Sequence, residues 1–514
     1  MLKRLALIVI IDGLNTKVFD ETNLQYMKKL ARDGFYSDKF LSIYPSLTFP
    51  AHTAIITGAK ANRHGIVGNR FLEKGKIIDL DYYDADSLLR AKTIYQFSSK
   101  LGLKSVAINE PIIKGADIVF EKRIFDEMSF DKRFEVLKER LKDIIREETP
   151  HLLIINFSNF DTIGENFGPL NEKVFSHLEA LDSYLEELGR LMKKVYDDYL
   201  LIITSDHGMA EVNDFLDIKK ELEDIAIALP SHRVAHIYTE DKEEVLRMLK
   251  ELGFSQIYEK GELRRIDLDN PRSGDFVVFA PAGIELEKRL KGSHGGTSEE
   301  EMRVIFLINK RGLAYDLKGE ITDAFRIARR YLIETYALEE VEKRTKDADP
   351  GHRIDHTLRV LEKATKLGLK YGADLEVLRL AAILHDIARD YGENHSRKSA
   401  ELAKNILKFA EIEDDKISKV AKVIEEHHNE PDKLSCLESK ILWDADKLDC
   451  LGLIGFVRAL LESGFYGKDI NDAIQHVLRD TELFLGGFHF DDTKTEAKRK
   501  TSEFKKFLSK LLLE

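Results

Sequence analysis

Residues 5–11 read LALIVII, seven apolar residues in a row that stop on Asp12. The run has the length and β-branched content of a strand buried on both faces, and it is too short to be read as a signal peptide. The same signature returns at SVAIN (105–109), LLIINF (152–157), YLLIIT (199–204) and RVIFLI (303–308). Between these runs apolar residues recur at helical spacing. Residues 1–340 are therefore predicted as an α/β domain whose mostly parallel sheet is covered by helices. A stretch from about 214 to 285 interrupts it with its own mixed pattern, including VAHIYTE, a helix over 243–252, and DFVVFAP. It is predicted as an inserted cap.

After about residue 340 the strand signal ends. VEKRTKDADPGH (341–352) carries charge, Asp-Pro and Gly, the composition of a boundary. Beyond it, helical patterns over 353–371, 374–389, 396–409, 415–428 and 437–450, with more to follow, predict an all-α domain across 350–514. The tail TSEFKKFLSKLLLE (501–514) is read as a packing helix.

The 514 residues are 43% hydrophobic and 33% charged, enough apolar material for packed cores in a chain long enough for two or three domains. A net charge of −12 argues against a broad nucleic-acid surface. The two cysteines, Cys436 and Cys450, are too few for a disulfide framework or a Cys-based zinc knuckle, which suits a reducing compartment. No apolar stretch reaches the roughly 18 to 20 residues that span a bilayer. A soluble, cytoplasmic protein without a membrane partner is expected, and the sequence leaves its oligomeric state open.

In a doubly wound sheet, ligands bind beyond the carboxyl ends of the strands. Asp12 follows LALIVII, Asp206 and His207 follow YLLIIT, and Asp161 lies four residues beyond LLIINF. Any one of these acids alone reads as a loop or capping residue. Carboxylates and imidazoles gathered at one sheet edge, however, are what a divalent cation requires in place of its hydration shell. In YPSLTFPAHTAIITG (44–58), Pro50 suits a first helical turn, which sets Thr48 at a helix N-terminus, where N–H groups and the dipole favour an anion. A threonine hydroxyl needs an activator to become a nucleophile, and metal ligands nearby would supply one.

These residues resemble the type I phosphodiesterase and nucleotide pyrophosphatase branch of the alkaline phosphatase superfamily. The resemblance rests on IIDG (10–13), TFPAHTAIITG (48–58), HGIVGN (64–69), DTIGENFGP (161–169), SDHGM (205–209) and GSHGG (292–296). It implies two divalent cations (Zn, Mn, Fe or Mg) and Thr48 as the nucleophile that becomes phosphorylated. Asp12, Asp206 and His207 would hold the cation that activates Thr48, Thr48 itself being counted among the metal ligands, Asp161 and His294 would hold the other, and Asn69 would hydrogen-bond a phosphoryl oxygen. One position departs from the family pattern: Glu165 stands where a histidine is usual. A carboxylate there adds negative charge and shifts preference from zinc toward harder ions. Glu165 is expected to ligate directly, the alternative being that it faces away and water completes the site.

The helical half contains HRIDHTLRV (352–360), ILHDIA (383–388), HH at 427–428 and LWDADKLDCLG (442–452). Each interrupts an apolar pattern with His or Asp, and a shared site explains four such interruptions better than coincidence. The motifs resemble the HD superfamily of metal-dependent phosphohydrolases. That resemblance implies His356, His385, Asp386 and Asp446 as ligands of a divalent ion (Mn, Fe, Ni, Co or Mg) whose bound water attacks a phosphate ester. His395 and His427 are candidates for a second ion or for phosphate contact. Lys447 and Arg359 are candidates for substrate phosphate, with a structural ion pair the other reading of Arg359.

The expected protein is thus a bifunctional metal-dependent hydrolase acting on a nucleotide or another small phosphoester. Its first half would cleave phosphodiester or nucleotide pyrophosphate bonds, and its HD half phosphate esters of nucleotide-like substrates. The alternative is a phosphomonoesterase or phosphonate hydrolase in the first half, with the HD half as a nucleotide-binding regulatory module. A sulfatase is disfavoured, because no C/S-x-P-x-R motif occurs.

Overall fold

The computed structural model describes residues 2–120, 129–347 and 349–511. The chain divides into two compact units, Lys3–Leu332 and Ile333–Glu514, the latter including Met1–Leu2.

Among the described residues, the first unit is built on a seven-stranded sheet. From one edge its strands are Phe35–Leu41, Arg303–Ile308, Asp198–Thr204, Arg4–Ile10, Leu152–Asn156, Ser105–Ile108 and Ile118–Phe120. Arg303–Ile308 runs antiparallel to both its neighbours, and the remaining pairings are parallel. Every residue of Arg4–Ile10 is buried, which explains its unbroken apolar run. Leu5, Leu7, Val9 and Ile11 join a core with Leu137, Leu141 and Ile145 of the helix Phe130–Glu147, and Leu178, Leu181, Leu185 and Leu188 of the helix Glu172–Val195.

Register fixes where the chemistry lies. Ile10 pairs with Asn156 on one side and Thr204 on the other, so three parallel strands end level. The residues that follow them emerge side by side at one edge of the sheet.

Within the stretch expected as a cap lies a separate antiparallel sheet of Ile227–Ser231, Val234–Tyr238, Phe276–Phe279 and Gln256–Glu259, in that order. The helix Lys242–Glu251 packs on it through Val245 and Leu249, which share a core with Ala235, Ile237, Phe276 and Val278.

The second unit is helical: Ile354–Tyr371, Leu375–Leu384, His395–Phe409, Asp414–Glu426, Leu437–Asp449, Gly452–Phe465, Ile470–Phe484 and Asp491–Leu511. Asp374 caps the second helix by accepting from the N–H groups of Glu376 and Val377. Two boundaries differ from the sequence reading. Residues 341–345 belong to the helix Asp323–Thr345, because a run of charge makes a solvated helical face and does not break a helix. The helix expected over 374–389 stops at Leu384, so His385 and Asp386 lie in the turn after it. Ile387 and Ala388 are buried in that turn, which keeps the apolar pattern going past the true helix end. The tail lies in the helix Asp491–Leu511, its last three residues falling outside those described. Among the described residues, no helix is long and apolar enough to cross a membrane.

Candidate metal centres

Asp12, Asp161 and Asp206 converge beyond the level ends of the three strands. His207 Nε2 lies 3.1 Å from Asp206 Oδ2 and 3.7 Å from Asp12 Oδ1. His294 Nε2 lies 3.6 Å from Asp161 Oδ1, and its ring stacks on that of His207 at 3.8 Å. The motif glycines serve this convergence. Gly13, at φ 69°, donates its N–H to Asp206 Oδ1 at 3.1 Å, and a Cβ on it would meet Asp161 Oδ1 at 2.9 Å. Gly208 leaves no room at all, since a Cβ there would sit 2.0 Å from the carbonyl oxygen of Glu300.

Thr48 is the first residue of a buried helix, Thr48–Thr57, whose N-cap is Leu47 with no capping side chain. The dipole at such a helix start favours an anion. The Thr48 hydroxyl faces inward, 3.4 Å from His207 Nε2, and Asn69 Oδ1 lies 3.4 Å from the Phe49 N–H.

Four carboxyls crowd this buried edge, and their acidities register the strain. Burial and then Asp206 raise Asp12 to about 6. Burial, followed by Glu165, holds Asp161 well above the usual range, and burial also raises Asp206. Glu165 is raised to about 7 by burial, with Glu285 and Glu287 adding to it against Lys288. The histidines respond in the opposite sense: burial lowers His207, and burial with His207 and His232 lowers His294.

In the helical unit, His356 Nε2 lies 3.3 Å from both Asp446 Oδ1 and His385 Nε2. Asp386 reaches two ways. Its Oδ2 is 3.8 Å from His356 Nε2 and 3.6 Å from His385 Nε2, while Oδ1 is 3.4 Å from His395 Nε2 and 3.5 Å from His427 Nε2. Burial opposes ionisation of Asp386 and Asp446, yet both acidities are strengthened, the first by His385 and the second by Lys447. Lys447 Nζ is buried against Asp446 Oδ2 at 2.7 Å. Arg359 makes a two-pronged ion pair with Asp449 at 2.7 and 2.9 Å.

The chemistry of these residues fits divalent cations. Asp12 Oδ1, Asp161 Oδ1, Asp206 Oδ2, His294 Nε2, Asp386 Oδ1 and His427 Nε2 are buried without hydrogen-bond partners. The histidines are also preset. Nδ1–H of His207, His294, His385, His395 and His427 donates to the backbone carbonyl of Gly208, Ser46, Ala382, Gly392 and Ile424 respectively. That bond fixes the tautomer and leaves each Nε2 as the acceptor, which in His395 takes an Arg389 N–H at 3.2 Å.

Several participants escaped the sequence reading. His52, inside the TFPAHTAIITG stretch, lies 3.5 Å from Asp206 Oδ2 and 3.8 Å from Asp12 Oδ2, and its Nδ1 meets Glu110 at 2.8 Å. Burial opposes its charge, but Glu110, Asp206 and Asp12 outweigh burial and raise its pKa to about 9. Asp449 orients His356 through Nδ1 at 2.8 Å. Its place three residues after Asp446 on one helix was the available signal. His428 sits with His395 and His427, and His232 with Glu165 and His294, their ligand atoms within 4.8 Å of one another in each group.

The family model described as Type I phosphodiesterase / nucleotide pyrophosphatase matches residues 6–301. The chain belongs to this family. A second model, the HD domain, matches residues 353–451. The chain is 21% identical over 340 residues to ectonucleotide pyrophosphatase/phosphodiesterase family member 7 of Mus musculus, covering 58% of this chain and 76% of that one. Against family member 1 of Homo sapiens it is 24% identical over 220 residues, spanning 39% of this chain and only 23% of the relative. Among solved structures, murine ectonucleotide pyrophosphatase/phosphodiesterase 5, an inactive variant in complex with AMP, aligns with a TM-score of 0.55 at 20% identity. It covers 64% of this chain and 95% of that one. Phosphonoacetate hydrolase from Sinorhizobium meliloti, in complex with phosphonoformate, has the same fold, with a TM-score of 0.53 at 21% identity over 64% of this chain and 95% of its own. The protein is a phosphoric ester hydrolase with a phosphodiesterase/pyrophosphatase domain and an HD phosphohydrolase domain, and both families are metal-dependent.

Proposed function

We propose that the protein is bifunctional: the phosphodiesterase domain cleaves phosphodiester or nucleotide pyrophosphate bonds through Thr48, and the HD domain hydrolyses phosphate esters of nucleotide-like substrates. The observation that carries this reading is the level ending of three strands, beyond which Asp12, Asp161, Asp206 and His207 meet, with the His294 ring stacked on His207 and the Thr48 hydroxyl 3.4 Å from His207 Nε2. Divalent cations held by these residues and Glu165, and in the HD domain by His356, His385, Asp386 and Asp446 with His395 and His427, would supply Lewis-acid charge that activates an attacking oxygen and neutralises phosphate.

The chain's own groups do the positioning. Thr48 Oγ1, at a helix start with no capping side chain, gives up its proton and bonds phosphorus as the bond to the leaving oxygen breaks, that oxygen departing with a proton. The helix N-terminus and Asn69 hold the phosphoryl oxygens while charge builds on them. Water then cleaves the phosphothreonine and restores the hydroxyl. Small phosphoesters are the substrate class, supported by the AMP complex of a neighbour with this fold.

The phosphonate hydrolase neighbour sustains the rival reading of the first domain. Rates on bis-p-nitrophenyl phosphate, p-nitrophenyl phosphate and phosphonoacetate separate the two. The diester should be turned over at least about tenfold faster than the others, a gap of about 1.4 kcal/mol in transition-state binding. Faster phosphonoacetate cleavage would hand the domain to the rival.

Cation binding should also depend on pH. Asp12 and Glu165 keep protons up to about 6 and about 7, well above their ordinary values. Carboxyls raised by folding favour the metal-free fold at low pH, a contribution fully present below about 4 and lost as pH rises through 6 to 7. A cation must displace those protons, so its affinity should climb over the same window. Thermal unfolding with EDTA and with excess Mn²⁺ should show the cation raising the midpoint more at pH 7.5 than at pH 5. Equal shifts at both would rule out these carboxyls as ligands.

A further inference from the structure

We infer that His232 is a protein ligand of the cation assigned to Asp161 and His294, an imidazole delivered by the cap to the place where the Asn159–Phe167 helix offers Glu165. The inference rests on the two-cation reading of the phosphodiesterase site and adds to it a residue outside the motif set.

His232 is the first of two turn residues joining Ile227–Ser231 to Val234–Tyr238. Its φ is 51°, a left-handed conformation that side chains rarely adopt and that concentrates at functional positions. This backbone throws the ring off the cap and onto the site. There it lies 4.2 Å from the His294 ring, with Nδ1 3.4 Å from Glu165 Oε1. Nδ1 is buried and has no hydrogen-bond partner, as is true of His294 Nε2 and Asp161 Oδ1. A plain Glu165–His232 contact would leave those other two donors unexplained. One cation facing all four residues accounts for each of them.

The turn is anchored rather than loose. Its His232 N–H donates to Glu287 Oε2 at 3.2 Å, and its carbonyl accepts from the Leu286 N–H at 3.2 Å. The next residue, Arg233, donates its N–H to the His294 carbonyl at 3.0 Å and pairs through Nε with Glu301 Oε1 at 2.9 Å. The hairpin is thereby tied to the loop that carries His294. Two carboxylates and two imidazoles form a set that serves zinc as well as manganese or iron, so Glu165 alone does not dictate a harder ion.

The test uses the full-length chain stripped with EDTA and titrated calorimetrically with Mn²⁺ and with Zn²⁺, metal content being counted after dialysis. His232→Asn is the informative variant, because asparagine tolerates the left-handed backbone. Its fold is checked by thermal unfolding without metal. One equivalent should weaken by at least about 10- to 100-fold, the loss that even outer-shell changes produce, while the other equivalents keep wild-type affinity. Adding Glu165→His in the same chain should restore that equivalent by moving an imidazole back to the helix. His294→Ala is the reference arm. If it loses the equivalent while His232→Asn binds like wild type, the ligand role of His232 is overturned and the two-cation reading stands. If neither variant loses an ion, that reading falls as well. A double variant that fails to recover would trace the loss to hairpin geometry and also overturn the ligand role.

Discussion

Thr48→Ala should lower diester cleavage by about 10⁴- to 10⁶-fold, the scale on which losing a nucleophile is felt. The expectation follows from position. Thr48 opens a buried helix whose N-cap, Leu47, has no capping side chain, and its hydroxyl lies 3.4 Å from His207 Nε2. Alanine keeps the helix start, so fold and cation binding should survive the change. Metal content and turnover of bis-p-nitrophenyl phosphate, measured on one preparation, separate lost chemistry from lost structure. HD-domain hydrolysis should continue unchanged. A variant that keeps activity within tenfold of wild type would remove Thr48 from the reaction.

Asp386→Ala should cost the HD domain both its hydrolysis, by at least about 10³-fold, and its bound cation. One carboxylate faces two histidine groups, His356 with His385 through Oδ2, and His395 with His427 through Oδ1. Its removal takes the carboxylate from the buried His395 and His427, while His356 and His385 keep Asp446, so Asp386→Asn, which preserves shape, belongs beside it as a control for folding. The diester activity of the other domain should persist in both variants. If hydrolysis survives the loss of Asp386 while the first domain's response to nucleotides changes, the HD half is a regulatory module and not an enzyme.

Much of the first centre was legible because strand logic is local. Apolar runs marked the strands, parallel pairing set their ends level, and Asp12 and Asp206 had to emerge where they do. Glu110 and His232 were invisible for the converse reason: their roles exist only after distant segments meet. Nothing near His232 in the sequence marks it, since its left-handed turn lacks the usual glycine or asparagine. His385 and Asp386 were found by type but placed on a helix, because the turn that holds them is as apolar as the helix before it. His52 was readable as part of a motif and still overlooked, its partner Glu110 lying just past the distant strand Ser105–Ile108.

The backbone carbonyls that hold five Nδ1–H groups have a consequence for assembly. Imidazoles steered by the main chain cannot swing away without breaking a bond to the fold itself, so most of the ordering cost is met during folding. Cations arriving at either centre would find their coordination frame already assembled, and losing them should leave the frame standing.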